Sequence, residues 1–278
     1  MSEDRLVAET PQPRTRKSLG RDLRRLGIHA GDLVLMYSSL SSLGWVAGGA
    51  PAVVLALLDV MGPDGTLVVP TQTGDNSDPR EWSRPPVPED WWPVIRAEMP
   101  AYDPATTPTR GMGRIAECLR TWPGACRSAH PQVSFAALGR IAEEVTRSHP
   151  FDDGLGEASP LGLLYRLDAK VLLLGVGYDS ATALHLAEYR VPGMPRGQFG
   201  AAALVAGSRR WITYSDVEHL DSDELFPSIG EAYEGAYPVS IGLVGSAEAR
   251  LLPMRSLVDF GTHWISARLA THSSETPL

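Results

Sequence analysis

Hydrophobic and polar positions along the chain switch repeatedly between helical and extended periods, and the switches divide it into alternating elements. Leu19, Leu23 and Leu26 recur at helical spacing after Thr15, a side chain suited to cap a helix start, and Gly27 closes that helix. Residues 32–37 (DLVLMY) read as a buried strand. Pro51 stands where a helix can begin, the apolar run 53–61 follows, and Gly62-Pro63-Asp64-Gly65 turns the chain into a strand over 66–70. This is a β-α-β unit. The pattern predicts further helices over 112–121, 141–147, 161–167 and 257–269, and strands over 133–138, 170–174, 239–244 and 249–253. Segments 199–206 and 210–214 flank Gly207-Ser208, a hairpin signal.

The strands over 32–37 and 170–174 are strongly apolar, as expected of a sheet covered on both faces. Strand pairs beside crossovers predict an α/β fold: one compact domain with a mixed parallel/antiparallel central sheet covered by helices. The domain is placed at residues 14–269, between polar, loose ends at 1–13 and 270–278. The segment 71–109 breaks the pattern, with eight prolines and the tryptophans Trp82, Trp91 and Trp92 but little periodicity. A stretch this long inside a compact domain is usually functional or disordered, and three tryptophans argue for order, so it is expected to form a flap beside the site.

Composition narrows the class. At 278 residues and 43% hydrophobic the chain can bury a substantial core. A formal charge of −8, with no basic stripe, argues against nucleic acid as a partner. No apolar run approaches the ~18 residues of a membrane span and no secretory leader is visible, so no membrane association is expected. Two cysteines, Cys118 and Cys126, stand in no CxxC arrangement, which fits a reducing, cytoplasmic setting.

The chemistry concentrates at residues 174–190, LGVGYDSATALHLAEYR. An apolar run ends in a glycine turn, and a short helix then presents His185 and Glu188 three apart on one face, where a carboxylate can orient an imidazole as general base. A lone HxxE with no third ligand motif does not indicate metal. The loop Tyr37–Trp45, ending in Gly48-Gly49, and the turn Thr109-Arg110-Gly111-Met112-Gly113 both precede helices and offer N–H groups and hydroxyls to phosphates. Carboxylates cluster at Asp216, Glu218, Asp221, Asp223 and Glu224, at Asp152-Asp153, and at Asp75, Asp78 and Glu81, and together would make a negative cleft for a polycationic amine. Gly175-Val176-Gly177 lacks the dinucleotide pattern, and no GxSxG elbow occurs.

Taken in order, the segments LGIHAGDLVLMYSSLSSLGWVAGGA, GPDGTLVVPTQTGD, YDPATTPTRGMG, RSAHPQVSFAALG, DDGLGEASPL and KVLLLGVGYDSATALHLAEYR resemble the aminoglycoside 3-N-acetyltransferase family, which is distinct from the common GNAT acetyltransferases. The resemblance implies transfer of an acetyl group from acetyl-coenzyme A to the 3-amino group of a 2-deoxystreptamine antibiotic, and with it antibiotic resistance. It places the base on His185, with Glu188 orienting it, and catalytic roles also at Asp75 and at Asp216 or Glu218. Coenzyme A is expected against Ser38, Ser39, Leu43, Gly44, Thr71, Thr109, Arg110, Gly111 and Met112. The amines of the antibiotic are expected at Asp75, Asp153, Asp179, Asp216, Glu218, Asp221 and Asp223. No metal is expected, and a homodimer is left open. Tyr37 stands where the family commonly has His, so a proton role at that position is altered.

Two other readings remain: an acyltransferase of the same fold acting on another amine, and a non-catalytic module binding amino sugars or coenzyme A. A metal-dependent hydrolase ranks last. Neither cysteine carries a sequence cue for activation, so Cys118→Ala and Cys126→Ala are expected to keep most of the thiol-releasing activity. Near-complete loss in either variant would indicate a cysteine-linked acyl intermediate instead.

Overall fold

The computed structural model describes residues 3–220 and 222–274. In chain order the elements are α1 (Glu3–Glu9), α2 (Arg16–Leu26), β1 (Leu33–Ser38), α3 (Gly49–Met61), β2 (Thr66–Pro70), α4 (Trp92–Glu98), α5 (Gly113–Arg120), β3 (Cys126–Arg127), β4 (Phe135–Gly139) and α6 (Ala142–Arg147). They continue with α7 (Pro160–Arg166), β5 (Lys170–Leu174), α8 (His185–Arg190), β6 (Arg196–Val205), β7 (Ser208–Val217), α9 (Ser222–Ala236), β8 (Ser240–Val244), β9 (Ala247–Pro253) and α10 (Met254–Ser274).

Seven strands form one mixed sheet in the order β3-β4-β2-β1-β5-β9-β8. β1 lies at its centre, parallel to β2 on one side and to β5 on the other, with Leu35 opposite Val68 and Ser38 opposite Leu174. The remaining pairings are antiparallel. Because side chains alternate along a strand, Val34 and Met36 enter one core with α2, α3 and α5, while Leu35 and Tyr37 enter a second core with α7, α8, α9 and α10. Both faces are covered, which is why β1 and β5 are apolar at consecutive positions.

This topology decides where a ligand can go. β1 is flanked by parallel partners reached by separate connections, β2 on one side and β5 on the other, so the loops after Ser38, Pro70 and Leu174 emerge at one edge of the sheet, where a crevice can form. Gly175 makes the turn after β5 at a φ of 70° that a side chain rarely adopts. Its carbonyl accepts a 3.0 Å hydrogen bond from the Ser42 hydroxyl, and the Ser39 N–H reaches Leu174 O at 3.0 Å, so the loops after β1 and β5 are fastened to each other.

Three sequence expectations are corrected. The N-terminal segment is not loose throughout: Glu3–Glu9 is helical, and Thr10 just beyond it accepts the Trp45 N–H at 2.8 Å, docking the segment on the loop after β1. At the other end, α10 runs to Ser274, past the expected stop at 269. The third correction is α9, where the sequence analysis expected a cluster of carboxylates and no helix. Pro227 and two glycines obscure its period, yet Phe226, Ile229 and Tyr233 bury one face, and Asp223 and Glu224 in its first turn suit the positive end of the helix.

The hairpin β6–β7 forms its own two-stranded sheet, and its turn falls one residue earlier than expected, at Ala206-Gly207, both with positive φ. Such a turn matches the twist of the two strands. The 71–109 segment lies against it: Asn76 exchanges hydrogen bonds with Ala202 in both directions (3.1 and 3.2 Å), Tyr102 N–H reaches Ala202 O at 2.9 Å, and α4 forms within it. Arg127 fixes the other end of the segment, donating to Thr71 O at 2.6 Å and to Pro104 O at 3.3 Å. No helix among the described residues is long and apolar enough to cross a membrane.

A Cβ at position 175 would sit 2.5 Å from Ser42 Cβ, on a backbone already disfavoured for alanine. Gly175→Ala is therefore expected to destabilise the protein by about 1–3 kcal/mol, read as a lower denaturant midpoint. Gly74→Ala, where a Cβ meets nothing within 4 Å, is the matched control and is expected to leave the midpoint in place.

Candidate active site

At the carboxyl ends of the parallel strands lies a cavity of about 750 Å³. Its walls come from the loop after β1 (Ser38 to Val46), the starts of α3 and α5, the β5–α8 connection and α1, which contributes Glu3 and Leu6. His185 opens onto it from the first position of α8.

The helix is placed by its neighbours. Tyr37, at the end of β1, is buried and accepts the Ala183 N–H on its hydroxyl oxygen at 2.7 Å, fixing the turn that precedes His185. Burial raises the phenol pKa, so it stays neutral. The Tyr37 ring thus holds the turn through its hydroxyl and brings no basic nitrogen to the site.

His185 Nδ1 lies 2.8 Å from Glu188 Oε2. The carboxylate is fully buried and carries two further hydrogen bonds: His219 Nδ1 at 2.7 Å on the same oxygen, and Leu220 N–H at 3.1 Å on Oε1. Burial works against its charge, but the two imidazole donors outweigh it and hold the Glu188 pKa below the ordinary carboxylate value. Burial also pushes His185 below the ordinary imidazole value, with the hydrogen bond to Glu188 acting the other way. With Nδ1–H directed at the carboxylate, His185 Nε2 keeps its lone pair, the arrangement of a general base.

The three side chains place ligand atoms within 4.8 Å of one another, near enough to meet on one ion. Both Nδ1 atoms, however, are committed as donors to Oε2, so an ion bound through them would have to displace both protons.

Several residues expected from the sequence line this cavity: Ser38, Ser39, Gly44, Gly111, Met112, Asp179 and His185. Neither Gly48 before α3 nor Met112 before α5 caps its helix with a side chain, which leaves backbone N–H groups for an anion. Arg114, in the first turn of α5, is the one arginine or lysine among the described residues that line the cavity.

Others are elsewhere. Leu43 is fully buried in the core, and Thr71 is buried between Ser134 and Arg127. Thr109 spends its N–H on Glu117 Oε2 (3.1 Å), and Arg110 pairs with Asp75 at the exposed surface, neither of them among the residues that line the cavity. Asp216 is buried and accepts the N–H groups of Gly154 (2.9 Å) and Val217 (2.8 Å). Asp153 accepts Ala158 N–H at 2.5 Å, and burial raises its pKa. Glu218 and Asp223 are exposed, at the exit of β7 and the start of α9. Asp221 lies outside the described residues.

His219 is the residue that sequence reasoning missed. It follows an acidic stretch and lies 34 positions beyond His185, and no spacing rule links the two. Neither cysteine lines the cavity, and burial raises the Cys118 pKa, away from the thiolate form.

The model of the aminoglycoside 3-N-acetyltransferase family matches residues 35–266. Among curated proteins, the SPbeta prophage-derived aminoglycoside N(3')-acetyltransferase-like protein YokD of Bacillus subtilis (strain 168) is 48% identical over 94% of this chain and 95% of its own length. Aminoglycoside N(3)-acetyltransferase VII of Streptomyces paromomycinus is 38% identical over 97% of each chain. Of solved structures, that of YokD from Bacillus subtilis superposes with a TM-score of 0.94 at 45% identity, over 99% of this chain and 100% of the other. AAC-VIa bound to sisomicin and the binary complex of AAC-IIIb with CoASH each superpose at 0.83 with 32% and 30% identity, covering 92% of this chain and 99% and 98% of theirs. Together with the cavity and its imidazole, these likenesses establish that the chain belongs to the aminoglycoside 3-N-acetyltransferase family.

Proposed function

We propose that the protein transfers the acetyl group of acetyl-coenzyme A to the 3-amino group of a 2-deoxystreptamine antibiotic, directly and within a ternary complex, with His185 as general base. The observation that carries this reading is an imidazole whose Nδ1 is held 2.8 Å from a fully buried carboxylate, opening onto the cavity that the serine loop and the start of α5 also line. AAC-IIIb was solved with CoASH and AAC-VIa with sisomicin, which supports the same pair of substrates here.

The residues present suit a thioester carrying phosphates. Ser38, Ser39 and Ser41 and the uncapped start of α3 supply hydroxyl and N–H donors, and Arg114 supplies the cation. His185 takes the proton of the attacking amine on Nε2 as the N–C bond forms. When the C–S bond breaks, the imidazolium returns that proton to the leaving sulfur, and Glu188 holds the ring in place through both transfers. Asp179 on the cavity wall and exposed Glu218 beside His219 are suited to hold neighbouring ammonium groups, and orientation of this kind supplies several kcal/mol of a barrier reduction. A cytoplasmic setting, in which two free cysteines stay reduced, belongs to the same reading.

Thiol release measured across a small aminoglycoside panel, followed by location of the acetylated nitrogen, tests the reaction. His185→Ala is expected to lower kcat by roughly 10²–10⁴-fold, the usual worth of a general base, and a fully active variant would remove the assignment. A base must be neutral to accept a proton, and burial favours neutral His185, so the acid limb of kcat/KM is expected below the ordinary imidazole value of about 6.5. A limb above that value would contradict the role. Arg114→Ala is expected to raise KM for acetyl-coenzyme A roughly tenfold with kcat nearly unchanged, as for a lost charge-assisted contact, and an unaltered KM would place the phosphates elsewhere.

A further inference from the structure

We propose that His219 is a positioning residue that sets the proton affinity of His185 through the carboxylate oxygen the two rings share. The inference rests on the assignment of His185 as base and adds to it a residue from a different part of the fold.

The geometry is that of one acceptor serving two donors. Glu188 Oε2 takes Nδ1–H from His185 at 2.8 Å and from His219 at 2.7 Å, and the ring centroids are 4.2 Å apart. Oε1 is occupied by the Leu220 N–H. Burial, the two imidazoles and the Leu220 N–H act on this carboxyl, while burial, Glu188 and His219 act on His185. Around them, Phe226 from α9 packs against the His185 ring at 4.9 Å, and Tyr189 from α8 stands 5.9 Å from the His219 ring. Phe226 adds no charge, and among the described residues the further titratable groups beside the pair are Tyr189, exposed Glu218 directly before His219, and Asp179 on the cavity wall that His185 shares.

With both imidazoles neutral the cluster carries one negative charge, and a single proton neutralises it. Glu188 is wholly buried and the His185 side chain is 14% exposed, whereas that of His219 is 29% exposed, so the low-dielectric penalty on charge falls on the His185–Glu188 pair. The hydrogen bond from His219 draws on the same oxygen that would stabilise the His185 imidazolium. It therefore lowers the hold of Glu188 on a proton at His185 and keeps the base free in its neutral form. The placement also has a structural meaning. His219 stands where the β6–β7 hairpin ends, three residues before α9 begins, so the position of the hairpin is transmitted to the base through one carboxylate.

The test compares pH profiles of kcat/KM for the wild-type enzyme, His219→Ala and His219→Asn, with thermal unfolding as the check on folding. Loss of the donor in His219→Ala is expected to raise the acid limb by on the order of one pH unit, about a tenfold loss of kcat/KM below the limb. The amide nitrogen of His219→Asn stands where Nδ1 donates, so that variant is expected to return the limb to the wild-type position. If His219→Ala does not fold, His219→Gln takes its place, because its amide reaches the Nε2 position and leaves the Oε2 contact unmade; the same rise is expected. An Ala or Gln profile superimposed on the wild type overturns the proposal, as does an equal shift in the Asn variant. Failure of the underlying assignment has a different signature: His185→Ala would then retain both activity and acid limb, whereas an inactive His185→Ala with an unmoved His219→Ala limb defeats this inference alone.

Discussion

A carboxylate with no exposure to solvent is the polar centre on which the site depends. Burying an unpaired carboxylate costs several kcal/mol, so the structure can hold Glu188 ionised only by supplying donors from the surrounding protein. It supplies three, from a ring one helical turn earlier, from a ring at the exit of the hairpin, and from the backbone amide that follows it. The carboxylate thus ties α8 to the β7–α9 connection, and the orientation of His185 is a consequence of satisfying a buried charge.

That knot is set on a stiff base. The parallel pairs β1–β2 and β1–β5 bring three loops to one edge of the sheet, and the loops brace one another: Ser42 on the carbonyl of Gly175, Ser39 on Leu174, and the Tyr37 hydroxyl under the Ala183 N–H. A tyrosine serves here because the position calls for an acceptor at the end of a long, buried, apolar side chain, which a phenol supplies without adding a titrating nitrogen. Elements built on strands and helices hold catalytic groups more closely than free loops can, and in this protein even the irregular segments are fastened at both ends.

The acidic character of the chain is less concentrated than its sequence implies. Asp216 is spent on the backbone of Gly154, Asp153 on that of Ala158, and Asp75 on Arg110, while Asp78 is held below the usual carboxylate range against its burial by Arg96. These contacts hold loops in place. What remains on the cavity wall is Asp179 and Glu3 together with Arg114, so the lining carries groups suited to ammonium ions and one suited to anions.

What the residues determined alone was everything governed by local period and local chemistry. The strands β2 and β5 fall where the apolar runs 66–70 and 170–174 stand, Thr15 caps α2 with Ser18 returning the bond, and His185 and Glu188 meet because three residues of helix bring them together. The mixed sheet followed from crossovers beside strand pairs. Where local signals conflict, as in α9 with its internal proline, the pattern misleads, because burial of Phe226, Ile229 and Tyr233 overrides propensity. Tertiary structure alone decided which polar groups share a space. It sent Leu43 and Thr71 into the interior, turned Arg110 outward onto Asp75, left Arg114 on the cavity wall, and delivered His219 to a carboxylate 31 residues away. Such encounters depend on the path of the chain through the whole sheet, and short-range spacing carries no trace of them.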